Sequence, residues 1–227
     1  IGGGPAGLSC AYYLALTGYR PTVFEKNEKP GGMLTYGIPS YKLEKDVVEE
    51  EIDIIRALGV EIKCGVEVGK DITLDELRKD GYEAFYIAIG CQGSRKSGVA
   101  GEDADGVMSA VDILHEIAEN HDLDLKGNKT VVIGGGNVAV DVARSTKRCG
   151  ADVLGMFCLE SREEMPASEE EIFETEDEGI QINNGWGVKE ILAENGKVTG
   201  VVLKKCTSVK DADGKFNPQY DENDTPV

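Results

Sequence analysis

Short apolar runs alternate with longer segments of helical periodicity along the first two thirds of the chain. Within residues 43–58, Val48, Ile52 and Ile55 recur at helical spacing, and acidic residues occupy the opposite face. Short β-branched and aromatic runs bounded by glycine or proline predict strands. On this basis we predict helices at 5–17, 43–58, 74–79, 109–119 and 137–148, and strands at 21–26, 60–68, 84–90, 129–135 and 151–160, with 84–90 buried.

The pattern changes after residue 160. The acidic segment 163–178 predicts a solvated helix, since charge runs usually form a solvated face, although a docking face for a basic partner is an alternative. Residues 179–192 and 197–205 alternate like two strands joined by an Asn-Gly turn. The polar tail 207–227 predicts a hairpin or a loop.

This order of elements predicts an α/β fold. Strands that alternate with helices form parallel sheets covered on both faces. Two glycine-rich motifs, each between a strand and a helix, predict two Rossmann-like dinucleotide-binding units. A loop rich in glycine and charge ends near residue 106, so we place one domain at 1–105 and the other at 106–227.

Composition narrows the range of partners and compartments. The chain of 227 residues has 42 acidic and 24 basic residues, for a net charge of −18, which disfavours nucleic acid and anionic membranes as partners. No apolar run approaches a membrane span, and no signal peptide is present. The six cysteines form no CxxC pair, so no metal site or redox dithiol is predicted, and such scattered thiols are typical of a cytoplasmic protein.

The first glycine motif fits G-x-G-x-x-G directly after a strand position. We predict that it binds a dinucleotide pyrophosphate, because glycines allow a tight turn and close approach of the phosphates to a helix N-terminus. Glu25 ends the next strand, where a carboxylate accepts hydrogen bonds from ribose hydroxyls. The motif residues are Gly2, Gly3, Gly4, Pro5, Ala6 and Gly7.

The second motif reads G-x-G-x-x-A. Glu160 ends the following strand and favours NADH, because its charge would repel the 2′-phosphate of NADPH. Arg162 lies close enough in sequence to meet that phosphate, or is a surface arginine paired with Glu163 or Glu164. The motif residues are Gly134, Gly135, Gly136, Asn137, Val138 and Ala139.

Five stretches resemble the small subunit of glutamate synthase and its relatives. Those relatives include the pyridine-nucleotide arm of dihydropyrimidine dehydrogenase and the FAD subunits of electron-bifurcating transhydrogenases. The stretches cover most of residues 1–167, and the two that contain GGMLTYGIP and SREEMPA are specific to this branch of flavoproteins. They are IGGGPAGLSCAYYLALTGYRPTVFEK, PGGMLTYGIPSYKLEKDVVEEEI, VVIGGGNVAVDVARSTKRCGADV, SREEMPAS and AIGCQGSRKSGVAGED.

The resemblance implies FAD in the first unit and NAD(P)H in the second, with the second unit inserted in the first. It implies hydride transfer from the nicotinamide to the flavin and then electron transfer to an iron–sulfur domain or subunit. No side chain is required as acid or base for the hydride step, so no catalytic residue is named. Besides the two motifs, the resemblance implicates Glu25, Lys26, Gly32, Met33, Val68, Ala88, Ile89 and Gly90 at FAD, and Asp141, Glu160, Ser161 and Arg162 at NAD(P).

Two departures qualify the resemblance. Many relatives carry Tyr-Arg-Arg before the SREEMPA-like segment, whereas this chain has Cys158, Leu159 and Glu160, which tilts the expectation toward NADH. The sequence also opens inside the first motif and stops before the family's flavin-closing segment, so we expect an excerpt of a longer polypeptide. That polypeptide would include an iron–sulfur domain and work with a large catalytic subunit or fused domain.

Three alternatives stay open. A disulfide reductase would need a cysteine pair near the flavin, and Cys10 has no partner at such spacing. The chain by itself is alternatively a nucleotide-binding module without turnover. The terminal acceptor is equally open, since dihydropyrimidine dehydrogenase, ferredoxin–NAD(P) reductase and bifurcating enzymes use similar arms. His115 and His121 are predicted to be surface residues rather than proton carriers.

Overall fold

A computed structural model describes residues 1–94 and 96–221. Its contacts divide the chain into two compact units, Ile1–Gly93 and Ser94–Val227. In each unit, parallel strands are connected through helices, which confirms the predicted α/β class with dinucleotide-binding topology. A separate antiparallel sheet of three strands completes the second unit.

The segment 94–105 groups with the second unit by contact. Ala100 forms a bridge with Glu190, and Asp105 forms one with Lys197. The backbone N–H of Ile191 donates to the Ala100 carbonyl at 2.8 Å. Its loop-like composition predicted that this segment belongs with the first domain. Its assignment to a FAD-binding or an NAD(P)-binding domain stays a prediction.

The first unit is built around the helix that follows the first glycine motif. Leu8 of that helix packs with Val48 and Ile52, the apolar face of the amphipathic helix Lys45–Ala57. The two strands pair in parallel, with Thr22 opposite Glu61. The elements are α1 (Pro5–Leu16), β1 (Thr22–Phe24), α2 (Met33–Tyr36), α3 (Lys45–Ala57), β2 (Glu61–Lys63) and α4 (Leu74–Lys79).

Two strand predictions in this unit are wrong in extent. The strand predicted at 60–68 ends at Lys63, because Gly65 adopts φ +70° and turns the chain out of the extended conformation. No strand forms at 84–90, where the only backbone pairing described is with a single residue, Ile1. Ile87 and Ile89 are 56% and 64% exposed, so the segment is not the buried strand that its apolar composition predicted.

The second unit has the larger hydrophobic core. Val140 and Ala143 of its central helix, Met156 of a strand and Ile172 of the acidic segment are almost fully buried together. The first three strands of this unit form the parallel sheet, and the last three form the antiparallel one. The elements are α5 (Ala110–Glu119), β3 (Lys129–Ile133), α6 (Asn137–Arg148), β4 (Asp152–Cys158), α7 (Glu169–Asp177), β5 (Ile182–Asn184), β6 (Trp186–Glu194), β7 (Lys197–Lys210) and β8 (Phe216–Tyr220).

The two hairpin predictions near the C-terminus are confirmed, but the strand predicted at 179–192 is wrong in extent, because Gly185 at φ +73° divides it into β5 and β6, which belong to different sheets. Asn195 and Gly196 join β6 to β7 with φ values of 51° and 81°. Positive φ at both central residues is the requirement of a type I′ turn, which matches the twist of an antiparallel pair. β7 continues to Lys210 and pairs with β8, so residues 207–221 of the polar tail form a hairpin. Residues 222–227 lie outside the described residues.

The acidic segment differs from the solvated helix that its charge predicted. A 3₁₀ turn at Arg162–Glu164 comes first, and α7 begins only at Glu169. Pro166 interrupts the segment because proline lacks the N–H that a continuous helix needs. Ile172 and Thr175 are 1% and 0% exposed, so one face of α7 packs into the core.

Candidate functional site: two glycine cradles

The first motif forms a tight turn that leads into α1. The N–H of Gly2 donates to the Phe24 carbonyl at 2.8 Å, and Gly2 has φ +102°. A Cβ at Gly2 would lie 2.3 Å from the Ala88 carbonyl oxygen, and a Cβ at Gly7 would lie 1.9 Å from the Gly2 carbonyl oxygen. Backbone therefore occupies the space of both side chains, and only glycine allows α1 to begin this close to the strand.

The mouth of the first cradle is formed by backbone alone. Gly4 precedes α1 and makes no side-chain cap, and Pro5 occupies the first helical position. The first amides of a helix have no partner within it and carry its positive dipole end, so they are available to phosphate oxygens. A Cβ at Gly32 would lie 2.8 Å from Gly4 Cα, so these two glycines face each other closely. Met33 follows and is 37% exposed.

Glu25 is buried and already engaged with the backbone. Its Oε2 accepts from the Gly3 N–H at 2.6 Å, and its Oε1 accepts from the Asn27 N–H at 2.8 Å. A carboxylate has about four acceptor positions, so further hydrogen bonds to ribose hydroxyls are still compatible with this geometry. Lys26 is exposed. Val68 lies two residues beyond Val66, whose N–H donates to the Glu25 carbonyl at 2.9 Å.

A second hydrogen bond fixes the peptide that opens the first cradle. The N–H of Gly31 donates to the Gly3 carbonyl at 2.7 Å. Because the peptide is planar and trans, holding the Gly3 carbonyl directs the Gly4 N–H the opposite way. Gly31 follows Pro30 in the connection after β1. This connection therefore orients one of the donors that a pyrophosphate would meet.

Lys45 holds the segment that follows Gly32. Its Nζ donates to the Leu34 carbonyl at 2.7 Å and to the Ile38 carbonyl at 2.5 Å. Partial burial lowers the pKa of this ammonium group. The lysine thus satisfies two carbonyls around α2 that the short helix leaves without internal partners.

The second motif repeats this architecture with more space. The N–H of Gly134 donates to the Phe157 carbonyl at 2.9 Å. A Cβ at Gly134 would lie 3.2 Å from the Ala139 Cβ, which is a close contact but not a collision with backbone. Gly136 begins α6 without a side-chain cap, and a Cβ there would meet nothing within 4 Å. Open space at this helix N-terminus fits a ligand group.

Glu160 occupies the position that Glu25 occupies in the first cradle. A Cβ at Gly135 would lie 2.9 Å from Glu160 Oε2, so the carboxylate lies against the middle glycine. The Glu160 backbone carbonyl accepts from Asn184 Nδ2 and from the Gly185 N–H, both at 3.1 Å. Within residues 1–94 and 96–221, the Glu160 carboxylate makes no hydrogen bond. It is half-buried and available to a ligand.

The segment before α7 crosses the start of the second cradle. The N–H of Ala167 donates to the Gly135 carbonyl at 3.1 Å, as Gly31 does for Gly3. The N–H of Ser168 donates to Asn137 Oδ1 at 3.0 Å, so the Asn137 side chain contacts protein rather than open space. Val138 is 52% exposed, whereas Asp141 is half-buried one turn further along α6.

A cavity of about 260 Å³ opens beside Glu160. Ser161, Arg162 and Lys205 contribute to its lining, together with Glu164. Arg162 does not pair with Glu163 or Glu164 as its surface interpretation predicted. Its guanidinium lies 3.4 Å from Glu169 and 3.8 Å from Glu176, since the 3₁₀ turn directs it toward α7.

The remaining chemistry-bearing side chains are dispersed. All six cysteines are free thiols, and burial together with the Glu160 charge raises the pKa of Cys158 to about 11. His115 is half-buried on α5, with its Nε2 3.1 Å from Glu119, so the prediction of a surface residue is wrong for His115, whereas His121 is exposed as predicted. Over the described ranges, no three His, Cys, Asp or Glu side chains are placed to hold a metal ion. No helix of that part of the chain is long and apolar enough to cross a membrane.

The predicted residues are thus gathered at two separate cradles, with exceptions. Ile89 and Gly90 are exposed beyond the Ala88 contact. Sequence reasoning missed Gly31 and Ala167, the amides that hold the middle glycine of each motif. A signal was present, since each follows a proline: Pro30-Gly31 after Glu25, and Pro166-Ala167 after Glu160.

Comparison with protein families places these cradles in a known context. Residues 1–216 match the family model described as pyridine nucleotide-disulphide oxidoreductase. The chain is 42% identical over 212 residues to the NADP(+)-dependent formate dehydrogenase subunit beta of Moorella thermoacetica, covering 92% of this chain and 29% of that protein. It is 36% identical over 228 residues to the glutamate synthase [NADPH] small chain of Escherichia coli, covering 95% of this chain and 48% of that protein. The chain spans less than half the length of these relatives.

Solved structures share the fold at low sequence identity. Mycobacterium tuberculosis FprA in complex with NADPH matches with a TM-score of 0.79 at 18% identity, covering 100% of this chain and 67% of that chain. Lactococcus lactis thioredoxin reductase matches with a TM-score of 0.66 at 22% identity, covering 97% and 73%.

Proposed function

The chain belongs to the pyridine nucleotide-disulphide oxidoreductase family, and we propose that it is the NAD(P)H-oxidising flavoprotein arm of a glutamate synthase small subunit-like enzyme. The observation that carries the proposal is the pair of cradles. Each has a glycine turn, an uncapped helix start and a carboxylate at the end of the next strand. The sequence similarity to the glutamate synthase small chain extends over both.

The first cradle fits FAD. Gly2 and Gly7 admit no side chain, and the paired glycines 4 and 32 leave bare backbone where a pyrophosphate would lie. Glu25 and the amides at the start of α1 would hold the adenosine ribose and the phosphates. When bound, FAD supplies hydride acceptance from NAD(P)H and single-electron release to iron–sulfur centres. The protein supplies orientation, since no acid or base is required of it in the hydride step.

The second cradle fits NAD(P)H. The open space at Gly136 and the uncapped start of α6 would take the pyrophosphate. The free carboxylate of Glu160 would accept from the ribose hydroxyls, and its charge favours NADH. The cations Arg162 and Lys205 in the neighbouring cavity favour NADPH instead. We propose NADH as the preferred donor, because Glu160 lies directly against Gly135.

The proposed partners are an iron–sulfur domain or subunit and a large catalytic subunit or fused domain, in the cytoplasm. The names of the two relatives support a multisubunit enzyme, because one is a beta subunit and the other a small chain. A second candidate is the corresponding role in a formate dehydrogenase, favoured by the 42% identity to such a subunit. Both candidates use the same two cradles and differ in the terminal partner.

Calorimetric titration of the chain with NADH and NADPH tests the proposal. We expect tighter binding of NADH, and about tenfold weaker NADH binding in Glu160→Ala, because a charge-assisted hydrogen bond is lost. Glu163→Ala is the matched control, since Glu163 is exposed on the adjacent turn.

Tighter NADPH binding would overturn the donor preference and implicate Arg162 and Lys205. Failure of both nucleotides to bind would overturn the assignment of the second cradle as an NAD(P)H site. Flavin absorbance after reconstitution with FAD, and its bleaching by NADH without oxygen, separates an oxidoreductase arm from a nucleotide-binding module without turnover.

A further inference from the structure

One buried cation connects the central helix α6 to α7. Arg144 is 5% exposed, and its Nε donates to Glu178 Oε1 at 2.8 Å. Its NH1 donates to Glu174 Oε2 at 2.5 Å and lies 3.8 Å from Glu171 Oε2. The three acids share one helix face by their spacing. We refer to Arg144, Glu171, Glu174 and Glu178 as the acidic clamp.

The clamp makes the docking of α7 depend on Arg144. A buried charge is stable only when it is paired and hydrogen-bonded, and the guanidinium meets this condition through α7. Without the positive charge of Arg144, the three carboxylates would face the buried side of α6 with less positive charge to balance them. Arg148 also reaches Glu178, but its side chain is 48% exposed, and so it contributes less.

The start of α7 is in turn attached to the second cradle. Ser168 caps α7, and its N–H donates to Asn137 Oδ1. The N–H of the preceding Ala167 donates to the Gly135 carbonyl. Because the 135–136 peptide is planar, this bond directs the Gly136 N–H away from Ala167. Gly136 is the residue with open space around it at the start of α6.

We propose that Arg144 is a positioning residue for the dinucleotide site: by holding α7, it keeps the Ala167 N–H on the Gly135 carbonyl and so aims the Gly136 N–H at the ligand pyrophosphate. This proposal rests on the proposed function, in which the second cradle takes NAD(P)H. It assigns a role in ligand orientation to an ion-pair cluster that lies two helical turns from the cradle.

ADP-ribose is the appropriate probe, because it contains the shared adenosine, ribose and pyrophosphate without a redox group. We expect Arg144→Ala to weaken calorimetric ADP-ribose binding about tenfold, since an aligned donor to a charged group is lost. Arg144→Lys should recover part of the affinity because it restores the charge. Lys147→Ala on the same helix should leave affinity unchanged, since the hydrogen bond described for Lys147 goes to the exposed Gly179 carbonyl, beyond the end of α7.

A double-mutant cycle distinguishes positioning from general stabilisation. Ala167→Pro removes the N–H itself. If Arg144 acts through that N–H, Arg144→Ala will cause no further loss of affinity in the Ala167→Pro background. If the double variant instead loses affinity by the product of the two single losses, the proposal is overturned. It is also overturned if Arg144→Ala is less stable than wild type but binds ADP-ribose within twofold of wild type. If the proline variant does not fold, the comparison of Arg144→Ala with Arg144→Lys decides. Absence of binding by the unmodified chain would instead overturn the proposed function.

Discussion

The two cradles share one backbone architecture but leave different amounts of free space around their glycines and carboxylates. In the first, backbone fills the space around Gly2 and Gly7, and both oxygens of Glu25 are hydrogen-bonded to amides. In the second, Ala139 replaces the third glycine, and the Glu160 carboxylate has no hydrogen bond within the described ranges. The first carboxylate is therefore part of the fold before any ligand binds, whereas the second is held ready for one.

One feature is shared by both. The carbonyl of the middle glycine accepts from an amide that follows a proline in the next connection: Gly31 in the first cradle and Ala167 in the second. The surrounding supports differ, since a partly buried lysine holds the first connection and a buried arginine holds the second. A glycine motif thus supplies the turn, while a separate segment orients the donors.

The largest expected difference between the cradles lies in their acids. Glu25→Ala should lower the free energy of unfolding of the first unit by about 3 kcal/mol, because two buried amides lose a charged acceptor. Glu160→Ala should lower that of the second unit by about 0.5 kcal/mol or less, as for an ordinary surface substitution.

Urea-dependent hydrogen exchange, followed separately in residues 22–36 and 152–164, measures both effects. Equal losses in the two variants would contradict the distinction between a structural and a ligand-facing carboxylate. Asp80→Ala, at the exposed end of α4, is a suitable control for the first unit.

Exchanging the third motif residue is the next largest test. Gly7→Ala should cost about 2 kcal/mol, because its Cβ would lie 1.9 Å from the Gly2 carbonyl oxygen and force the backbone apart. The reverse change, Ala139→Gly, should cost about 1 kcal/mol through lower helix propensity and the loss of a methyl group packed against the core. The same exchange measurement reports both. A mild effect of Gly7→Ala would show that α1 can move away from the strand.

The sequence predicted the cradles well because their signals are local. A glycine spacing, a helix start and an acid at a strand end are all read within about thirty residues. The segment 84–90 was misread because apolar composition does not specify whether a neighbour covers it, and Ile89 is exposed. The acidic run was misread for a related reason. Its charge predicted solvent on every side, but Ile172 packs into the core, and Arg144 on another helix pairs with the acids beside it.

The smallest expected effect is a pH dependence confined to the second unit. Burial raises the pKa of Glu178, but the hydrogen bonds from Arg148 and Arg144 lower it by a larger amount, so the net pKa lies below the usual value. A carboxyl with a lower pKa in the folded state stabilises the fold fully above its unfolded pKa, near 4.3. This stabilisation is lost as the pH falls through the folded pKa.

Glu178→Gln should therefore lower the stability of the second unit by about 1 kcal/mol at pH 7, through weaker hydrogen bonds to the arginines. The difference from wild type should begin to shrink as the pH falls below the unfolded pKa, near 4.3, and should be lost below the folded pKa, where Glu178 is protonated in both states. Fluorescence of Trp186, the only tryptophan, follows unfolding of this unit. Glu163→Gln, on the exposed turn, is the control. A constant difference between Glu178→Gln and wild type across this range would show that the ionisation of Glu178 is not coupled to folding.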